Sequence, residues 1–178
     1  MNSICVQGPT PYQTVVVPTG DVNDGGDVEI VPYAARYAAA FKALNEAWIT
    51  RVFRLEAADL KVLDAPDSTL IAPGGHIVVA LSKDDVVGVC ALQKAEGDTF
   101  ELVKMAVTPG MQGRGIGRRL GEAAIAWARA RGARRIYLES NSKLDAALAL
   151  YRKLGFEPFA GPPSPYERVD IHMQLWLR

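Results

Sequence analysis

Gln112-Gly113-Arg114-Gly115-Ile116-Gly117 puts three glycines and an arginine into six residues, between two segments of regular pattern. The stretch before it, Thr99–Val107 (TFELVKMAV), reads as a strand. The stretch after it, Arg118–Arg131, sets Leu120, Ala124, Trp127 and Ala128 on one helical face, with Gly132 placed to end the helix. Glycine weakens regular structure by roughly 0.5–1 kcal/mol per residue unless the backbone has to do something a side chain prevents. A dinucleotide fingerprint starting at Gly113 needs its third glycine at Arg118, and so fails. A Walker loop would use the spacing of Gly110 and Gly115 but needs Lys and Ser/Thr where Ile116 and Gly117 stand. What survives is a loop whose amides converge at a helix N-terminus, where they lack intrahelical partners and favour an anion such as a diphosphate. On this reading, side chains at 113, 115 or 117 would hold phosphates away.

Outward from the loop the pattern is orderly. Asp27–Tyr33 is a short strand candidate, and Ala34–Phe53 is helical, with Tyr37, Phe41, Leu44, Trp48 and Val52 recurring at spacings of three and four. Glu56–Asp64 is a shorter helix stopped by Pro66. Gly75–Leu81 and Val86–Gln93 form a hairpin across a Ser-Lys-Asp-Asp turn, and Glu96-Gly97-Asp98 leads into Thr99–Val107, completing an antiparallel meander. Beyond the glycine loop and its helix come a strand (Ala133–Ser140), a helix (Lys143–Leu154) closed by Gly155, and a last strand from Glu167. In that strand Val169, Ile171, Met173, Leu175 and Leu177 face one way. The order predicts an α/β or α+β mixed sheet covered by helices. Residues 1–27, rich in Gly, Pro, Thr, Asp and Asn, read as an arm in which Thr14–Pro18 is a candidate strand; residues 28–178 read as one domain.

The 178 residues carry a formal net charge of zero, which argues against a general nucleic-acid binder. There is no apolar run of membrane-spanning length, and the N-terminus lacks a basic start followed by an apolar core. A cytoplasmic protein with no membrane partner is the simplest expectation. Cys5 and Cys90 are the only cysteines; a disulfide is not expected, and two thiols do not make a zinc site. His76 and His172 lie far apart without ligand spacing, and no metal is expected. Cys90, in an apolar strand, is read as an inert buried thiol.

The glycine loop resembles the Q/R-x-x-G-x-G/A signature of the GNAT superfamily of acetyl-CoA-dependent N-acetyltransferases, and Leu150–Phe156 (LYRKLGF) resembles that family's second landmark. The resemblance covers roughly Val28 to Leu177. It implies a mostly antiparallel central sheet splayed between its fourth and fifth strands, here about Thr99–Val107 and Arg135–Ser140, with helices on both faces. It implies acetyl-CoA as co-substrate, its pantetheine arm in the splay along Met105, Ala106 and Val107. The diphosphate would sit on Gln112, Gly113, Arg114, Gly115, Ile116 and Gly117, with the Arg118 amide nearby. Many members of the family are dimers, so a homodimer is compatible with the resemblance, although the sequence does not fix the oligomeric state.

Acetyl transfer to an amine requires loss of the amine proton, a polarised thioester carbonyl and protonation of the leaving thiolate. The resemblance makes Tyr151 the acid; the plain alternative is a core aromatic packed with Leu148 and Leu144, and the two roles are compatible. Glu101 is the first choice for the base, with Glu139 and Glu56 as alternatives, each of which could equally be a surface charge. A strand amide near Ala106 or Val107 would polarise the carbonyl. The family's cofactor-contacting asparagine, seven residues before the tyrosine, is Leu144 here; Asn141, ten before, is the substitute candidate, with helix capping as its other reading and Ser142 as an alternative cap. The acceptor should meet the first two helices, their connecting loop and the last hairpin, with Trp48, Phe53, Arg54 and Arg168 in view. An arginine lining that pocket (Arg51, Arg54 or Arg168) would suit an acceptor with a carboxylate. The expected function is N-acetylation of a primary amine on a small molecule, amino acid or peptide; the alternative is a non-catalytic acyl-CoA-binding module.

Overall fold

The computed structural model describes residues 28–177; the candidate strand Thr14–Pro18 and Cys5 lie outside the described residues. Seven strands, β1 (Val28–Pro32), β2 (His76–Ser82), β3 (Asp85–Lys94), β4 (Thr99–Val107), β5 (Arg135–Ser140), β6 (Glu157–Pro158) and β7 (Ile171–Trp176), form one sheet in the order β1-β2-β3-β4-β5-β7-β6. Four helices, α1 (Ala38–Val52), α2 (Ala57–Asp64), α3 (Ile116–Ala130) and α4 (Asp145–Lys153), cover it. All neighbouring strands are antiparallel except β4 and β5.

The alternation of side chains along the strands divides the core in two. Val78, Ala80, Leu92, Phe100, Leu102, Ile136 and Leu138 pack under α3 and α4, against Leu120, Ala124, Ala128 and Leu148. Ile77, Val79, Val89 and Ala91 point the other way, beneath Phe41 and Ile49 of α1 and Leu63 of α2. Because β2 and β3 are buried on both faces, they read as unbroken apolar runs rather than alternating ones. Each fully buried large side chain, such as Phe41, Ile49 or Leu120, contributes roughly 1.5–3 kcal/mol through removal from water.

Three local features were not legible in the pattern. A single π-helical turn, Asp67–Ile71, follows α2, where Ala65, preceding Pro66, leaves the helical region (φ −144°, ψ 60°). The two-residue β6 extends the sheet past β7. The last strand was expected from Glu167 but begins at Ile171. Glu167 and Arg168 are instead drawn to Glu56 at the start of α2: the Glu167 amide donates to one of its oxygens at 2.9 Å and the Arg168 guanidinium to the other at 2.8 Å.

The feature that shapes the site is a bulge in β4. Val89 pairs with Ala106 and Ala91 with Val103, so Cys90 stands opposite both Lys104 and Met105. Lys104 adopts φ 51°, a left-handed conformation unusual for a side-chain-bearing residue. The extra residue inverts the phase of the strand. Phe100 and Leu102 face the α3/α4 core before it, while Met105 and Val107 do so after it, and Ala106 joins the α1/α2 core.

Candidate active site

Leaving β4, the chain makes one 3-10 turn (Pro109–Met111), passes through extended Gln112, and reaches α3 with Gly113 and Gly115 in the left-handed region at φ 78° and 74°. Only glycine adopts that conformation without strain, so these two positions are fixed by the backbone. Gly117 also has a packing neighbour. A Cβ there would stand 3.2 Å from Leu150 Cδ2, so the third glycine lets α3 approach α4. Ile116, buried, anchors the underside of the loop. Gln112 folds its side chain back to donate to the Val107 carbonyl at 3.0 Å, and Arg118 pairs with Glu122 at 2.7 Å. Among the described residues, no intramolecular acceptor is found for the backbone N–H groups of Gly113 through Arg118. A consecutive run of free amides at the start of a fifteen-residue helix is a cradle for an anion.

Next to this cradle the sheet comes apart. β4 and β5 share three pairs only, Thr99 with Arg135, Phe100 with Ile136 and Glu101 with Tyr137. Beyond Glu101 the bulged half of β4, carrying Met105, Ala106 and Val107, has no ladder to Leu138–Ser140. The seam is therefore open at the end nearest the glycine loop. Tyr151, on α4, packs its half-buried ring edge-on to Phe156 with centroids 6.1 Å apart. Burial, and secondarily the nearby Cys90, pushes its hydroxyl well above the ordinary tyrosine range. Tyr151 sits at the margin of the core, as its packing reading expected.

On the α1/α2 face, at the last β4–β5 pair, the structure gathers Glu101, Tyr137, Glu139, Ser164 and His172. Glu101 accepts from the Tyr137 hydroxyl at 3.1 Å. Burial first, and the Glu139 carboxylate second, raise Glu101 from 4.5 to about 7, against the Tyr137 hydrogen bond and Lys104, which act to lower it. Glu139 accepts from the Ser164 hydroxyl at 2.5 Å, and its other oxygen lies 3.6 Å from His172 Nε2. His172 is paired across the strands with Glu139, and Nε2 is shielded from solvent with no hydrogen-bond partner. Sequence reasoning set His172 aside. The signal was present in the alternation of β7, which turns His172 away from Met173, but the register that puts it opposite Glu139 is not written in either strand.

Beside this group lies a buried ion cluster that the sequence did not reveal. Asp59, fully buried, receives Arg168 through both guanidinium nitrogens at 2.7 Å and Lys104 Nζ at 2.7 Å. Burial alone would raise the Asp59 carboxyl, but the hydrogen bonds from Arg168 and Lys104 outweigh it and hold the group at about 2. Lys104 also donates to the Tyr166 hydroxyl at 3.0 Å. Arg168, expected as a candidate for an acceptor carboxylate, is occupied by two carboxylates of its own chain. Arg54 pairs with Glu167, and Trp48 turns inward to donate to Asn45 at 3.2 Å. Arg54, Glu56, Pro165 and Glu167 line a shallow hollow of about 410 Å³ between the α1–α2 connection and the β6–β7 loop. Asn141 is buried and engaged on both sides: Nδ2 donates to the Arg168 carbonyl at 2.5 Å and Oδ1 accepts from the Lys143 amide at 2.9 Å. Ser142 bonds Asp170 through its amide and hydroxyl. His76, stacked on Trp127 at 4.3 Å, is part of the packing. Among the described residues, no group of three or more His, Cys, Asp or Glu side chains is placed to hold a metal ion.

Residues 37–156 match the acetyltransferase (GNAT) family. The chain belongs to that family. It is thereby an acyltransferase by class, with the splayed mixed sheet expected of it. Among curated relatives, it is 39% identical over 125 residues to the N-alpha-acetyltransferase RimI of Mycobacterium tuberculosis, covering 65% of this chain and 76% of RimI. It spans about half, 53%, of the length of an uncharacterised N-acetyltransferase of Escherichia coli, YjgM, at 39% identity over 88 residues, or 48% of this chain. Among solved structures, a GNAT acetyltransferase of Staphylococcus aureus superposes with a TM-score of 0.79 at 19% identity, over 85% of this chain and 100% of its own. The acetyltransferase yncA of Salmonella typhimurium, solved with its cofactor acetyl-CoA, superposes at 0.68 with 23% identity, over 86% of this chain and 95% of its own. No helix among the described residues is long and apolar enough to cross a membrane.

Proposed function

We propose that this acyltransferase acetylates a primary amine, with acetyl-CoA as donor, in the seam between β4 and β5. The observation that carries the proposal is the run of partnerless amides from Gly113 to Arg118 standing at the open end of a seam that closes at Glu101. Those amides fit a diphosphate, because hydrogen bonds to a charged acceptor are worth about 1.5–3 kcal/mol each. Gln112 and Ile116 hold the loop in shape, and the edge of β4 from Met105 to Val107 offers backbone groups to an extended arm. Asn141 braces the turn from β5 into α4 at the side of the seam.

Acetyl-CoA supplies the acetyl group as a thioester when bound. Glu101 serves as base: raised to about 7, it binds an ammonium proton near neutrality and is ionised just above it. The freed nitrogen bonds to the acetyl carbon as the carbon–sulfur bond breaks. The Tyr151 hydroxyl, kept protonated by burial, gives its proton to the departing sulfur. An amide of β4 near Ala106 or Val107 polarises the carbonyl. The test is Tyr151→Phe, assayed by CoA thiol release and by calorimetry with acetyl-CoA. Turnover should fall by about 100-fold or more while coenzyme affinity stays within about twofold. Unchanged turnover removes Tyr151 from the chemistry, and loss of affinity together with turnover makes it a packing residue only.

A further inference from the structure

Resting on that reading, we infer that the acceptor is a cationic amine with no ionised carboxylate on the amine-bearing carbon: an alkyl amine, or an amine whose neighbouring carboxyl is locked in an amide. The inference comes from counting charges where the amine must enter. Glu101 and Glu139 stand on the same face of the sheet beside the seam, Glu101 at the last β4–β5 pair and Glu139 two residues further along β5. Two cations lie close by, and both are spent. Arg168 gives its Nη1 to Glu56 at 2.8 Å and to Asp59 at 2.7 Å, and its Nη2 to Asp59 at 2.7 Å. Lys104 gives its ammonium to Asp59 at 2.7 Å and to Tyr166 at 3.0 Å. Two carboxylates thus cancel two cations inside the cluster. At the rim, Arg54 is paired with Glu167. Arg135 lies at the closed end of the seam opposite Thr99, held between aromatic rings, with its guanidinium 4.7 Å from the Phe159 centroid and 5.6 Å from that of Tyr137, and its buried Nε has no partner among the described residues. His172 faces Glu139 rather than a ligand.

Arg135 at the closed end apart, what remains uncompensated on this face is negative. The carboxylate of an α-amino acid is attached to the same carbon as its amine, so it has to enter wherever the amine does. There it would meet Glu101, which must be ionised to act, and Glu139, with no committed cation able to turn toward it without stripping Asp59 or Glu56. A cationic amine with a neutral or amidated neighbour meets the same carboxylates as an attraction. The shared chemistry has two sources, free alkyl amines and peptide amino termini, and the acceptor panel separates them.

The test uses the full chain at pH 8, where Glu101 is ionised, and measures CoA release with acetyl-CoA and matched acceptors: phenethylamine against phenylalanine, alaninamide against alanine, and an alanine-initiated tripeptide with an amidated C-terminus. The carboxylate-free member of each pair should exceed its partner in kcat/KM by about 30-fold or more. Dominance of the tripeptide assigns the site to amino termini; dominance of phenethylamine assigns it to alkyl amines; either supports the inference. Amino acids that match or outrun their carboxylate-free partners overturn it while leaving acetyl transfer intact. Release from no acceptor at all, with acetyl-CoA still bound by calorimetry, overturns the acetyl-transfer reading and this inference with it. Glu139→Gln tests the cause: it should narrow the discrimination and raise KM for phenethylamine without raising KM for acetyl-CoA. Discrimination unchanged in Glu139→Gln refutes the electrostatic assignment.

Discussion

Replacing Glu101 by Gln should stabilise the protein while removing its activity, and the size of the stabilisation should depend on pH. The folded protein raises this carboxyl from 4.5 to about 7, first by burial and then by Glu139. Between those two values the folded state holds a proton that the unfolded chain has given up, so stability falls as pH rises through the window and levels off above 7. A difference of that size amounts to about 3 kcal/mol at pH 8 and less than about 1 kcal/mol at pH 5. Glutamine keeps the shape and can still accept from Tyr137, so the variant should recover most of this: about 2–3 kcal/mol at pH 8 and little at pH 5. For a domain of this size, that is a rise in Tm of roughly 5–10 °C at the higher pH alone. The assay is thermal and urea unfolding of both proteins at the two pH values, with CoA release measured alongside. Turnover should drop by about 100-fold or more. The reasoning fails if Glu101→Gln is destabilising at pH 8, or if its effect is the same at pH 5 and pH 8, because either result means the carboxyl is not held out of its ordinary range.

In the wild type, kcat/KM should rise with pH along a limb centred near 7, and Glu139→Gln should move that limb lower by removing the second cause of the shift, as read from a pH–rate profile. Gly115→Val, at φ 74°, should weaken acetyl-CoA binding at least about tenfold by calorimetry and cost about 1–2 kcal/mol of stability by urea unfolding. Gly121→Ala places a Cβ 2.5 Å from Leu154 Cδ1, so it should lower stability by about 1–3 kcal/mol in the same assay, with Leu154→Ala in the double variant returning part of the loss. Lys104→Met leaves Asp59 buried with Arg168 as its remaining charge partner and should cost about 3–5 kcal/mol, visible as a lowered urea midpoint at unchanged m-value.

The sequence carried the elements of this fold because their periods are strong: the Leu120–Ala124–Ala128 stripe of α3, the doubly buried runs of β2 and β3, and the glycines at 113 and 115 whose φ values only glycine accepts freely. It carried the loop and the candidate acid because each sits inside a local motif. It could not carry what depends on register. Arg168 reads as a free cation in a polar stretch, and only the fold sets both guanidinium nitrogens on Asp59, 109 residues away. Glu139 and His172 look like isolated charges until β5 and β7 pair. Gly117 reads as part of the glycine run, but that its Cα faces Leu150 could not be read, because Leu150 belongs to a helix met more than thirty residues later.

The bulge at Lys104 ties these unread contacts together. A regular β4 would keep its alternation, and Lys104, three residues after Glu101, would point into the α3/α4 core among Phe100 and Leu102. The left-handed turn at Lys104 instead swings the ammonium to the α1/α2 face, where Asp59 takes it. The same inserted residue turns Met105 and Val107 toward the α3/α4 core and coincides with the stretch where β4 no longer pairs with β5. The strain at Lys104, about 1–2 kcal/mol for a side-chain-bearing residue in this region, is sustained because relaxing it would strand both Asp59 and the lysine. The buried cluster therefore does more than fill space beside the seam: it takes up the Lys104 ammonium where the bulge puts it, and both of its cations are committed to carboxylates of the chain itself.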